Sequence, residues 1–113
     1  MVSTCLFCRI AAKEIPSQIV FEDSEFLAFK DVNPQAPVHI LIIPKSHYNT
    51  LLDVSAFTML GRAQQIIIRI AEEQGIAQSG FRIVMNCRDD GGQTVYHLHY
   101  HLLGGRFMAW PPG

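Results

Sequence analysis

The sequence predicts an α+β domain of about five mostly antiparallel strands with one long and one short helix. Three observations predict it. Ala56, Met59, Leu60, Ala63, Ile66, Ile67 and Ile70 recur at three- and four-residue spacing, the apolar stripe of a long amphipathic helix. Apolar or β-branched runs at 18–22, 25–31, 38–43 and 81–86 are joined mostly by short connections, which suits antiparallel pairing rather than alternating βαβ units. Residues 96–102 alternate histidine with Tyr96, Leu98, Tyr100 and Leu102, the two-residue period of a strand.

Taken in order, Ser3-Thr4 is positioned to cap a short helix over about Cys5–Lys13, closed by Pro16, with Leu6, Phe7 and Ile10 on its apolar side. Gln18–Glu22 and Glu25–Asp31 read as a hairpin about Asp23-Ser24. Pro34 and Pro37 force an extended connection after Asp31. Val38–Ile43 is apolar without alternation, a strand buried on both faces, interrupted by His39. The long helix lies within about Leu51–Gln74, with Asp53 or Ser55 as cap and Gly75 at C′. Its stripe is core packing against the sheet. Phe81–Asn86 is a further strand, and Cys87 reads as a small semi-buried thiol. The histidine-bearing strand follows, ended by Gly104 and Gly105. Trp110 in the proline-ended tail is too apolar to be expected free in water.

With 113 residues, 49% of them apolar, the chain reads as one domain over 1–113 with enough apolar material for a core. A net charge of −1 gives no general attraction for nucleic acid or acidic membranes. No apolar run approaches the roughly 20 residues that span a bilayer. The N-terminal stretch lacks the basic-then-apolar pattern of a signal peptide. Three cysteines, an odd number, argue against a disulfide framework and for a reducing compartment, with cytoplasm the expectation.

The chain has five histidines, and His97, His99 and His101 would share one strand face. A polar strand face, a metal site and imidazole catalysis are all open. Same-face neighbours on a strand lie about 6.6–6.8 Å apart, so two can share a zinc but three in line fit a tetrahedron poorly. Imidazole is also a nucleophile, acid or base near neutral pH. The preceding Asp89-Asp90-Gly91-Gly92-Gln93-Thr94 bears on the choice. Glycines let backbone N–H groups approach an anion, and Gln93 and Thr94 add side-chain donors. A phosphate cradle running into a row of imidazoles points to phosphoryl or nucleotidyl transfer. Asp31, at a strand end, suits two ribose hydroxyls, though an ordinary turn aspartate explains it too. Cys5-Leu6-Phe7-Cys8 is a C-x-x-C pair, open to zinc, a redox dithiol or coincidence; the βαβ setting of a redox dithiol is missing.

His97-Leu98-His99-Tyr100-His101-Leu102-Leu103 resembles the H-φ-H-φ-H-φ-φ signature of the histidine triad (HIT) superfamily, φ being apolar. Residues 31–37, Gly91-Gly92-Gln93 and Trp110-Pro111-Pro112-Gly113 are similar to the Hint branch, the histidine triad nucleotide-binding proteins. The resemblance covers nearly the whole chain. It implies the HIT fold and a homodimer joined across the long-helix and edge-strand face, whose C-terminal tail reaches toward the partner's site and influences substrate choice. It further implies a purine nucleoside phosphoramidase or nucleotidyl hydrolase, a hydrolase acting on P–N bonds. That enzyme releases AMP or GMP through a covalent nucleotidyl-histidine and needs no metal for the chemistry. By resemblance His99 is the nucleophile, His101 binds phosphate oxygens or the leaving group, and His39 and His97 hold the array together. Asp31 meets the ribose; Leu6, Phe7, Ile10, Phe29 and Val32 line the base pocket; Asn86, Gly92, Gln93 and Thr94 serve the phosphate. Thr94 stands where relatives often have serine; Lys30 carries no assignment. The resemblance to bacterial relatives with this C-x-x-C implies a structural zinc, here on Cys5, Cys8, His47 and His97, a Cys₂His₂ set suited to a tetrahedron. A dinucleoside polyphosphate hydrolase of the Fhit type and a nucleotide-binding adaptor remain the alternatives.

Overall fold

The computed structural model describes residues 3–113; residues 1 and 2, the start of the expected 1–113 domain, lie outside the described residues. The elements are α1 (Leu6–Ala11), β1 (Ile19–Glu22), β2 (Phe26–Lys30), β3 (Val38–Pro44), α2 (Thr58–Glu73), β4 (Phe81–Val84) and β5 (Tyr100–Gly104), with a 3-10 turn at Leu51–Asp53. The strands form one sheet in the order β1-β2-β3-β5-β4, and every pair is antiparallel. This is the α+β architecture that the short connections predict.

The sheet buries both faces. On one, Phe26, Ala28, Ile40, Ile42, Tyr100 and Leu102 meet Ala63, Ile66, Ile67, Ile70 and Ala71 of α2. On the other, Leu27, Phe29, Leu41 and Ile43 meet Phe7 and Ile10 of α1. Alternation along β2 and β3 assigns each strand residue to one of the two cores. At each fully buried aliphatic or aromatic side chain this contributes about 1.5–3 kcal/mol.

Several expectations are corrected. α1 is capped by the Cys5 sulfur, which accepts from the Cys8 amide at 3.4 Å, while Ser3 Oγ accepts from the Cys5 amide. The long helix starts late: Thr50 and Asp53 close a capping box on the separate 3-10 turn, and α2 begins at Thr58 without a side-chain cap. Ala56 precedes α2 and is exposed. β4 ends at Val84, short of Asn86. Only His101 of the histidine row lies within β5, since residues 95–97 bend before it. Tyr96 leaves the helix-facing side, half exposed, and donates its hydroxyl to Asp89 at 2.8 Å. Trp110 stands 80% exposed, its ring under the Arg82 guanidinium.

Candidate active site and metal-ligand cluster

The β3–β5 register builds the centre of the site. Leu41 pairs with His101 and His39 with Leu103, so the two imidazoles are diagonal neighbours on the face opposite α2. Their rings meet with His39 Nε2 2.9 Å from His101 Nδ1. The protons follow from the partners. The Gln35 backbone N–H donates to His39 Nδ1 at 3.0 Å, so His39 carries its proton on Nε2 and donates it to His101 Nδ1. His101 then presents Nε2–H. Asp31 Oδ2 lies 3.4 Å from His39 Nε2, and its other oxygen accepts the Asn33 N–H at 2.8 Å.

His99 takes the opposite tautomer. Its Nδ1–H donates to the His97 carbonyl at 2.8 Å, which leaves Nε2 a bare lone pair. The bend before β5 makes this intrasegment bond possible; a regular strand would hold that carbonyl in the ladder. His99 and His101 stand with centroids 5.0 Å apart, and both line a cavity of about 350 Å³. A nucleophilic nitrogen and an N–H donor thus share one wall. Burial pushes His39 and His99 below the ordinary histidine pKa of 6.5, and pushes His101 down to about 4, helped by its histidine neighbours. All three rings stay neutral near pH 7, as attack by the His99 lone pair requires.

The rest of that cavity is mostly apolar. Leu6, Phe7, Ile10, Phe29 and Leu41 line it, with Asp31, Thr94 and the almost fully exposed Val32 at its rim. Ile15, Pro16, Ser17, Lys30 and Val95 join them, and no sequence motif marks these positions. Asn86 and Gly92 are not among its walls. Gln93 is turned inward: Nε2 donates to the Asn49 and Val95 carbonyls and Oε1 accepts the Arg88 N–H, so its amide ties the loop rather than offering donors to a phosphate. Gly92 and Gln93 N–H groups bond within the turn to Asp89 and Arg88, which removes them from any anion nest. Thr94 alone of that run reaches the cavity.

His97 faces elsewhere. It is fully buried, and its Nε2–H donates to the Pro44 carbonyl at 2.7 Å. Its Nδ1 meets Cys5 Sγ at 3.4 Å, Cys8 Sγ at 3.5 Å and His47 Nδ1 at 3.1 Å. His47 Nε2 donates to Asn49 Oδ1 at 2.6 Å, and His47 Nδ1 lies 3.2 Å from Cys8 Sγ. Both imidazoles therefore aim lone pairs at one point, a repulsive arrangement that a cation relieves. A tetrahedron with zinc-like arms of about 2.3 Å to sulfur and about 2.0 Å to nitrogen has edges of about 3.3 to 3.8 Å. Four of the six edges measure 3.1 to 3.5 Å, close to that polyhedron, and all four ligand atoms lie within 4.8 Å of one another. Asp31, His39 and His101 also sit close enough to share an ion. There the Gln35 N–H forces a proton onto the His39 nitrogen a metal would need, so that trio is a hydrogen-bond chain.

A family model described as the HIT domain matches residues 12–108. The chain belongs to the HIT family. This HIT protein is 50% identical over 108 residues to the purine nucleoside phosphoramidase of Escherichia coli, covering 94% of this chain and 91% of that one. It is 48% identical over 116 residues to an adenylylsulfatase of Arabidopsis thaliana, covering 98% and 78%. Among solved structures, a HIT family hydrolase from Legionella pneumophila superposes with a TM-score of 0.95 at 50% identity, over 97% of this chain and all of that one.

Proposed function

We propose that this HIT protein is a purine nucleoside phosphoramidase, a single-domain hydrolase that releases AMP or GMP from P–N-linked conjugates. The observation that carries this reading is the opposed tautomers of His99 and His101 on one cavity wall. The 50% identity to the Escherichia coli phosphoramidase supports it. The base occupies the apolar wall of Leu6, Phe7, Ile10 and Phe29, and Asp31 takes the ribose hydroxyls. Thr94 and His101 hold phosphate oxygens. His99 Nε2 attacks the α-phosphorus, the P–N bond breaks, and the departing amine takes a proton supplied through His101 Nε2–H. Water then attacks phosphorus and returns a proton to His101 Nε2 as the nucleotidyl–His99 bond breaks, so the nucleoside monophosphate leaves with both His99 and His101 neutral again. Pre-aligned donors stabilise charge that builds on the phosphoryl oxygens.

The deciding experiment is hydrolysis of adenosine 5′-phosphoramidate, run beside adenosine 5′-phosphosulfate and diadenosine triphosphate. AMP release from the phosphoramidate is expected, and His99→Ala should lower it by about a thousandfold or more. Wild-type turnover in His99→Ala would overturn the assignment of the nucleophile.

The Cys5, Cys8, His47 and His97 set is read as a structural zinc site, closed by four protein ligands. When bound, zinc there supplies a crosslink between the start of α1 and the loops that carry His47 and His97. The chain is further read as a homodimer, since Phe81 and Ile83 stand part-exposed on the open edge strand β4, and as cytoplasmic, on the odd count of three cysteines in the sequence.

A further inference from the structure

Helix α1 faces two sites at once. Its N-cap Cys5 and its Cys8 point to His47 and His97, while Leu6, Phe7 and Ile10 line the nucleotide-sized cavity. Phe7 stands edge-on to Phe29 at 5.6 Å and to His99 at 5.0 Å, so it is the inner wall beside the candidate nucleophile. A helix of only 6 residues has no stability of its own. Among the described residues, the hydrogen bonds leaving Cys5–Ala11 for the sheet and its loops are the thiol–imidazole ones. The backbone bonds of α1 are all local. What fixes the wall is therefore the burial of Phe7 and Ile10 together with whatever joins the two sulfurs to the two imidazoles.

We propose that metal held by Cys5, Cys8, His47 and His97 sets nucleotide affinity, by latching α1 in place as the inner wall of the cavity. The proposal rests on reading that cluster as a zinc site. It makes Cys5 and Cys8 positioning residues, acting on substrate through Phe7 and Ile10. It also gives Asn49 a role: by accepting from His47 Nε2–H it orients Nδ1 toward the thiols. Metal loss loosens the wall without altering the His39–His101 and His99–His97 bonds that set the reacting tautomers, so binding suffers more than turnover.

The test uses the full chain purified without chelator, with zinc content measured by mass spectrometry, then stripped and reloaded. About one zinc per chain is expected. If the stripped wall is formed about a tenth of the time, AMP dissociation constant and KM both rise about tenfold, with kcat changed far less. Amide exchange over residues 5–12 should accelerate on stripping, and zinc should restore all three. Cys8→Ala should match the stripped protein, and Cys8→His, which returns a ligand, should recover with zinc. Asn49→Ala keeps all four ligands and guards against a variant that fails to fold; the zinc concentration that restores tight AMP binding should rise about 10- to 100-fold. Bound zinc whose removal leaves AMP affinity and KM unchanged overturns the latch alone. A fall in kcat at constant KM also overturns it, placing the effect at His99. A chain that binds no zinc overturns the latch and the zinc reading together, whatever its phosphoramidase activity.

Discussion

His101 titrates far from an ordinary histidine because it is buried between two other imidazoles that disfavour its charge. Its folded pKa is about 4, against 6.5 for the free group. Between those values the unfolded chain binds a proton that the folded chain refuses. Stability is therefore complete above pH 6.5 and is lost as pH falls toward 4, at up to about 1.4 kcal/mol per unit for this one group. Urea unfolding from pH 7 to 5 should show that slope, and His101→Gln should flatten it. At this scale the sequence marked the histidine row but not which way each imidazole faces. The alternation of 97, 99 and 101 predicts one row; the bend at residues 95–97 sends His97 to the thiols and leaves His99 and His101 on the cavity. The partners that fix the tautomers, the Gln35 N–H and the His97 and Pro44 carbonyls, are backbone atoms, which every residue possesses and no motif can mark.

Among the elements, strands and the long helix were legible because period two and the three–four stripe are consequences of core burial, and the core is where the chain has least freedom. The loop between β4 and β5 was half legible. Asp89-Asp90-Gly91-Gly92 does make a tight turn, but the turn uses its amides internally and Gln93 buttresses it from inside. Gly91 serves close packing, since a Cβ there would lie 2.6 Å from the Cys87 carbonyl oxygen, a backbone atom that cannot swing away, whereas Gly92 has open space and serves the turn through its φ of +79°. Gly91→Ala should cost about 1–3 kcal/mol, read as a lowered melting temperature. Because Thr94 follows in the same loop, KM for the phosphoramidate should rise as well. A variant as stable as wild type would show that the loop has room to shift.

For the whole molecule, the sheet closes one side on α2 and the other on α1, but β4 remains an edge, with Phe81 and Ile83 each 37% exposed and Phe107 and Trp110 more so. Such an edge invites a second copy, since interfaces hide apolar side chains and unpaired strand groups together. Light scattering should give about twice the 12.7 kDa chain mass, and Ile83→Lys should return it to one chain. Monomeric wild type would end the homodimer reading. The strand pairing itself has an unspoken implication. Along β5, Tyr100 and Leu102 pack under α2 while His101 between them faces the cavity. A single residue inserted into that strand would hand the imidazole to the greasy side and Leu102 to the substrate side. Folding and chemistry are written in the same reading frame of the backbone, so a shift there forfeits both at once.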